Sequence, residues 1–330
     1  MRVLWPERTS CGVIQRLCAV TVLLCAAVGG CSSPAGQSSP ESAVSPGPTS
    51  SSASSASTAP APAVEVVDPA VAPEFARLES VHDARLGVYA VDTGSGRAVA
   101  YGADERFAYA STFKAFAAAL VLADTTPAQF EEPVRVEAAD LLANSPVTET
   151  RAGTTMTWRE LCEAAVRYSD NTAGNLLLRR LGGPGGYDSA LTELGDDVTS
   201  ADRYEPDLSS AVPGDPRDTS TPRAMADNLR EFALGEALDD ADREVFLGWL
   251  RGNTTGAAVV RAGVPEGWVV GDKTGTASYG GRNDIAVVWP PDRDPIIIAV
   301  MTSRDRQGAD QVDALIADAT RVVVRVLTES

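Results

Sequence analysis

The placement of its strand-like runs is what most constrains the fold of this 330-residue chain. Leu86 to Val91 and Ala98 to Tyr101 flank the turn Thr93-Gly94-Ser95-Gly96, which reads as a hairpin. Three further runs, Trp268 to Gly271, Ile285 to Trp289 and Ile296 to Thr302, stand near the other end, separated by Gly- and Pro-containing turns. Between them, from about Phe107 to Leu250, helical periodicity dominates, as in Ser111 to Leu122, Thr157 to Arg180 and Pro222 to Ala233. The tail repeats Val312, Leu315, Ile316, Ala319, Val322, Val323 and Val326 at helical spacing, an apolar face suited to covering a sheet. This patterning predicts an α/β fold: a five-stranded antiparallel sheet covered by helices and drawn from both chain ends, with an all-helical domain inserted. The expected boundaries are 64–106 and 259–330 for the discontinuous α/β domain and 107–258 for the helical one.

What precedes residue 64 is of another kind. Arg2, Arg8 and Arg16 lead into the apolar run Leu17 to Val28 and then Gly29-Gly30-Cys31. The run is too short to span a bilayer, so residues 1–30 read as an export signal. Small residues before a Cys are similar to a bacterial lipoprotein cleavage box, in which Cys31 is lipidated. From Ser32 to Ala63, Ser, Pro and Ala account for 25 of 32 residues, too little apolar surface to order itself, so 31–63 reads as a tether. The expectation is an exported monomer, lipid-anchored at the outer face of the cell membrane or free as a secreted or periplasmic protein. Of the five Cys, only Cys162 lies beyond the tether, so no internal disulfide is expected. Its apolar setting, Leu161 to Val166, suits a buried inert thiol.

Forty-five acidic residues against 28 basic ones, a net charge of −17, argue against nucleic acid as a partner. They argue equally against membrane contact through a basic patch, leaving lipid as the anchor. The single His, His82, rules out a Ser-His-Asp triad with a spare imidazole and a zinc site built from several, and no metal or cofactor is expected. Arg supplies 26 of the 28 basic residues, and only Lys114 and Lys273 are Lys. An ammonium can be deprotonated inside a protein where a guanidinium cannot, so two surviving Lys invite a chemical explanation.

Ser111-Thr112-Phe113-Lys114 opens an apolar helix, and a spacing of three puts the amine one turn from the hydroxyl. A neutral amine there can take the Ser proton, and unpaired N–H groups at the helix start suit an oxyanion formed in acyl transfer. Ser169-Asp170-Asn171 falls within the middle helical stretch, and Lys273-Thr274-Gly275-Thr276 ends a strand. On these three motifs in this order, the chain resembles the penicillin-recognising serine enzymes, which carry Ser-X-X-Lys, Ser-Asp-Asn and Lys-Thr-Gly. Arg203-Tyr204-Glu205-Pro206-Asp207-Leu208-Ser209 with Arg217-Asp218-Thr219 resembles the omega loop of class A beta-lactamases. The resemblance runs from about Phe75 to Leu327 and includes Ser145 to Glu149, Arg251 to Gly256 and Asn283 to Trp289.

That resemblance implies a hydrolase acting on a small-molecule beta-lactam. Ser111 attacks the lactam carbonyl to form an acyl-enzyme, with the N–H groups of Ser111 and Thr276 holding the oxyanion. Ser169 relays a proton to the leaving nitrogen. Lys273 orders Ser169 and, with Thr274 and Thr276 around Gly275, attracts the substrate carboxylate. Asn171 contacts the acylamide side chain, and Glu205 activates the water that clears the ester. Either Lys114 or Glu205 starts acylation. Arg203 and Asp218 are the ion pair that closes the loop, whose Glu205–Pro206 bond is expected to be cis. Several positions depart from the family: Ser209 replaces an Asn that helps hold the water, Asn144 stands where an aromatic often lines the cleft, and Ala277 replaces Gly. Val259 replaces an Arg that some members use for the substrate carboxylate; Arg282 is a candidate to compensate, although a solvated loop residue is the favoured reading. A D-alanyl-D-alanine peptidase shares the Ser-Lys chemistry but lacks the loop Glu, and a non-catalytic lactam receptor acylates and stops.

Overall fold

The computed structural model describes residues 65–67 and 71–329. The apolar run before Cys31, Cys31 itself and the Ser/Pro/Ala tether lie outside the described residues. In chain order the elements are β1 (Glu65–Val67), α1 (Ala72–His82), β2 (Arg85–Asp92), β3 (Arg97–Tyr101), β4 (Phe107–Ala108), α2 (Phe113–Ala123), α3 (Pro127–Phe130), β5 (Pro133–Arg135), β6 (Thr155–Thr157), α4 (Trp158–Arg167), α5 (Asn171–Arg180), α6 (Pro184–Glu193), β7 (Thr219–Ser220), α7 (Pro222–Leu234), α8 (Asp240–Arg251), α9 (Val260–Gly263), β8 (Val269–Thr276), β9 (Arg282–Trp289), β10 (Ile296–Ser303) and α10 (Asp313–Thr328). The main sheet runs β1-β3-β2-β10-β9-β8. Its last five strands pair antiparallel throughout, as the strand-like runs predict. The sixth, β1, adds a parallel edge beside β3, pairing Glu65 with Arg97 and Val67 with Val99. Three residues are too few to display the alternation by which a strand is read from sequence.

The sheet is apolar on both faces because both are covered. Along β10, Ile296, Ile298 and Val300 join a cluster with Phe75 of α1 and Leu315, Ile316 and Val323 of α10. The alternate residues Ile297, Ala299 and Met301 join the cluster built from the helices of residues 113–251. Successive side chains of a strand point to opposite faces, so a strand sandwiched this way needs an unbroken apolar run rather than alternation. Helix α2 sits inside that second cluster and is buried at every position from Phe113 to Leu122. A helix apolar at every buried position but Lys114 belongs in a core, and the alanines at 115 and 117–119 let its neighbours approach.

One expected element divides. The stretch Thr157 to Arg180 forms two helices, because α4 stops at Arg167 and Ser169 takes a left-handed φ of 57° before α5 begins. The Asp170 carboxylate caps α5 by accepting the Ala173 N–H at 2.9 Å, and it also accepts the N–H groups of Val147 and Thr148 at 3.0 and 2.9 Å. No Gly or Pro marks this break, and the apolar periodicity continues across it, so the sequence pattern reads as one helix. Lys273-Thr274-Gly275-Thr276, by contrast, ends a strand as expected, forming the last four residues of β8.

Candidate active site

Ser111 stands in a single 3₁₀ turn, Ala110–Thr112, immediately before α2. Ala110 holds a φ of 48°, a conformation that costs a residue with a Cβ and persists only where surroundings impose it. The side chain of Asn283 on β9 supplies part of that restraint, donating to the carbonyls of Ala108 and Tyr109 at 2.8 and 3.2 Å. Strand β8 passes so close to this turn that a Cβ on Gly275 would meet the Tyr109 carbonyl oxygen at 2.8 Å. Gly275 therefore brings the strand carrying Lys273 against the turn carrying Ser111.

Lys114, fully buried on the first turn of α2, directs its Nζ to Ser111 Oγ at 2.8 Å, to the Ser169 carbonyl at 2.8 Å and to Asn171 Oδ1 at 2.6 Å. Its path runs over Gly174 of α5, where a Cβ would come within 2.7 Å of Lys114 Cε. Burial pulls the amine down to about 8, against the opposing pull of the Glu205 and Asp170 carboxylates. An ammonium fills all three contacts as donor. Once neutral it keeps two N–H groups and gains a lone pair. The Ser169 carbonyl and Asn171 Oδ1 can only accept, so the lone pair is left facing the Ser111 hydroxyl. The Asn171 amide is oriented by its Nδ2, which donates to the Ala143 carbonyl at 3.0 Å. With a pKa of about 8, roughly a tenth of Lys114 is neutral at pH 7.

Glu205 offers a second acceptor, with Oε1 at 3.4 Å from Ser111 Oγ and 3.7 Å from Lys114 Nζ. The Glu205–Pro206 peptide is cis. The Asn175 side chain brackets the Glu205 main chain, accepting its N–H at 2.9 Å and donating to its carbonyl at 2.8 Å. Asp218 ties down the start of the same loop. One of its oxygens accepts the N–H groups of Asp202 and Arg203, each at 2.9 Å, and the other pairs with Arg203 Nε at 2.5 Å. The loop also joins the turn that follows β8, since the Ser209 carbonyl accepts the Ser278 N–H at 3.0 Å.

On the sheet side, Lys273 Nζ donates to Ser169 Oγ at 3.0 Å and to the Thr274 carbonyl at 2.7 Å. Burial first, and the Lys114 charge second, push its amine well below the ordinary lysine value. Behind it lie two buried carboxyls. Asp272 pairs with Arg261 and accepts from Asn253 Nδ2 at 2.7 Å. Asp284 accepts only the Val260 N–H, at 3.1 Å, and its Oδ1 has no hydrogen-bond partner. Burial and the nearby Asp272 hold the Asp284 carboxyl well above the usual range.

Ser111, Ser169, Asn171, Glu205, Thr274 and Thr276 line one cleft of about 700 Å³, with the two lysines behind them. Asn144, Ser209 and Ala277 also line it, whereas Val259 is buried in the apolar cluster on the far face of the sheet. Arg282 departs from the expectation of a solvated loop residue. It opens β9, is buried, and donates to Thr276 Oγ1 at 3.1 Å while its Nε holds Asp313 at 2.6 Å. The polar triplet Arg282-Asn283-Asp284 ahead of the apolar run hides the start of this strand in the sequence. Asn175 was also missed by sequence reasoning, although its spacing of four from Asn171 puts both on one face of α5. Asp272 and Asp284 carry no linear signal, because their neighbourhood exists only across paired strands. Elsewhere, His82 on α1 meets Asp318 at 3.4 Å, and burial pushes the Cys162 thiol up, away from reactivity. Among the described residues, no cluster of His, Cys, Asp or Glu could hold a metal ion.

Comparison with known proteins agrees with this geometry. The family described as "Beta-lactamase enzyme family" matches residues 70–327. A beta-lactamase from Amycolatopsis lactamdurans is 64% identical over 82% of this chain and 89% of its own length. One from Nocardia asteroides is 52% identical over 77% and 83% respectively. Among solved structures, a class A beta-lactamase from Clostridium kluyveri DSM 555 superposes with a TM-score of 0.78 at 45% identity, covering 79% of this chain and all of that one. With family, relatives and architecture in agreement, the chain belongs to the beta-lactamase enzyme family and is class A by its structural neighbours.

Proposed function

We propose that the chain hydrolyses beta-lactams through an acyl-enzyme on Ser111 that a Glu205-activated water clears. The observation that carries this reading is the position of Ser111 Oγ between two proton acceptors, Lys114 Nζ at 2.8 Å and Glu205 Oε1 at 3.4 Å. In acylation, Ser111 Oγ bonds to the lactam carbonyl carbon while its proton passes to neutral Lys114 or to Glu205. The N–H groups of Ser111 and Thr276 hold the oxyanion. As the C–N bond breaks, Ser169 gives its proton to the ring nitrogen and is resupplied from a lysine ammonium. Asn171 holds the acylamide group, and Thr274, Thr276 and Arg282 meet the substrate carboxylate, with Lys273 behind them supplying positive charge. In deacylation, Glu205, having passed any proton taken in acylation to the neutral lysine, takes a proton from water, the hydroxide adds to the ester carbonyl, and as the ester C–O bond breaks Ser111 takes up that proton. Arg203 and Asp218 act by fixing the loop. The helical segment 107–258 and the split segment 64–106 with 259–330 are the domains that meet at this cleft.

Mass spectrometry of Glu205→Ala mixed with benzylpenicillin tests this division. The variant keeps Ser111 and both lysines, so it should retain one intact drug mass on Ser111, and Ser111→Ala should retain none. General-base assistance is worth about 100- to 10,000-fold, enough to turn turnover into a burst and near arrest. Equal decay of the adduct in wild type and Glu205→Ala removes Glu205 from the step. We further propose that Cys31 is lipidated after export, on the strength of Gly29-Gly30-Cys31 behind the apolar run. Detergent partitioning with and without globomycin checks it, and a processed product with a free Cys31 N-terminus overturns it.

A further inference from the structure

Among the residues lining the cleft, Tyr168 is the one aromatic, and 37% of it remains exposed. The lining around it is small or polar, including Asn144, Ala277 and Ser278. The ring is held in place rather than left loose. Tyr168 ends α4 with its N–H on the Ala164 carbonyl at 3.2 Å, and the next residue takes the left-handed turn that aims Ser169 at Lys273. The Arg167 guanidinium lies 5.4 Å from the ring centroid and is itself anchored through Nε to the Gly252 carbonyl at 3.1 Å. A cation so placed fixes an aromatic ring at low entropic cost to whatever next lies against it.

We infer that Tyr168 determines specificity for beta-lactams with aromatic acyl side chains, presenting the ring surface against which that side chain stacks. This rests on the lactam-hydrolase reading above and names the part of the substrate that the cleft sorts. Asn171, on which the reading above places the acylamide group, lines the same cleft as Tyr168. Offset or edge-on aromatic contacts correspond to about 2- to 10-fold in affinity.

The test compares benzylpenicillin with 6-aminopenicillanic acid, which carries the same lactam and no acyl group, on wild type, Tyr168→Ala and Tyr168→Phe. The ratio of the two kcat/KM values should fall about 2- to 10-fold in Tyr168→Ala, and Tyr168→Phe should keep the wild-type ratio. An equal loss on both substrates would mean that Tyr168 only positions Ser169, and this overturns the inference, as does an unchanged ratio in Tyr168→Ala. If the wild type hydrolyses neither compound, the lactam-hydrolase reading itself fails, an outcome distinct from both.

Discussion

Lys114 and Lys273 converge on one residue, the first on the Ser169 carbonyl and the second on its hydroxyl, but they reach it from unlike regions. Lys114 arises in the core helix, one turn from Ser111, and its other partners are Asn171 and, at 3.7 Å, Glu205. Lys273 arises in a strand, next to Asp272 and diagonal to Asp284 across the Thr274 to Asp284 pair. The helical region thus surrounds its amine with groups that leave a lone pair aimed at one hydroxyl. The sheet region instead backs its amine with two carboxyls that lie outside the cleft lining. Burial lowers the pKa of both amines, and the Lys114 charge lowers that of Lys273 further.

The largest expected effect comes from the helical member. Lys114→Ala should slow single-turnover acylation by about 100- to 10,000-fold, the usual worth of a positioned base. In the wild type, the same rate should climb as pH rises toward about 8, because the neutral amine is the competent form. A flat stopped-flow profile with a small loss in Lys114→Ala would give the proton to Glu205 and break the contrast. Lys273→Ala should cost less. It removes a charge-assisted hydrogen bond to Ser169, worth about 1.5 to 3 kcal/mol, or roughly 10- to 100-fold in kcat/KM. A loss matching that of Lys114→Ala would show that the two regions do the same work.

The smallest effect concerns the carboxyl behind Lys273. Asp284 has its folded pKa raised above its unfolded value, so the folded state binds the extra proton. The stability it contributes is fully present below the ordinary aspartate range and is lost as pH rises through the folded value. Asp284→Asn keeps the shape and cannot ionise. Its melting temperature relative to wild type should therefore increase with pH, by about 2 to 4 °C for each kcal/mol relieved. An offset that stays constant from pH 4 to pH 9 would mean that Asp284 does not titrate with the fold.

What was legible in the sequence is what is linear. Ser111 and Lys114 sit one helical turn apart, so spacing brings them together, while Ser169 with Asn171 and Lys273 with Thr276 were legible as short motifs through the family resemblance. The five long strands were legible because burial on both faces demands unbroken apolar runs. Legibility failed where geometry is set across the chain. Arg282 takes its partners from β8 and α10, Asn175 acts on a loop 30 residues away, and Asp284 borrows its environment from a neighbouring strand. The break at Ser169 was hidden for a different reason. It is imposed by Asp170, whose carboxylate gathers N–H groups from Val147 and Thr148 as well as from its own helix.

The sheet order has a consequence for how such a molecule comes into being. Strand β10 stands between β2 and β9, so within the sheet the N-terminal hairpin pairs with the C-terminal strands through residues 296–303. During synthesis, nothing made before that segment can close the sheet, and the long-range pairing that results is the slow kind. Helix α2 with its nucleophile is translated early, but β8 and its lysine join the hairpin's sheet only once the last strand arrives.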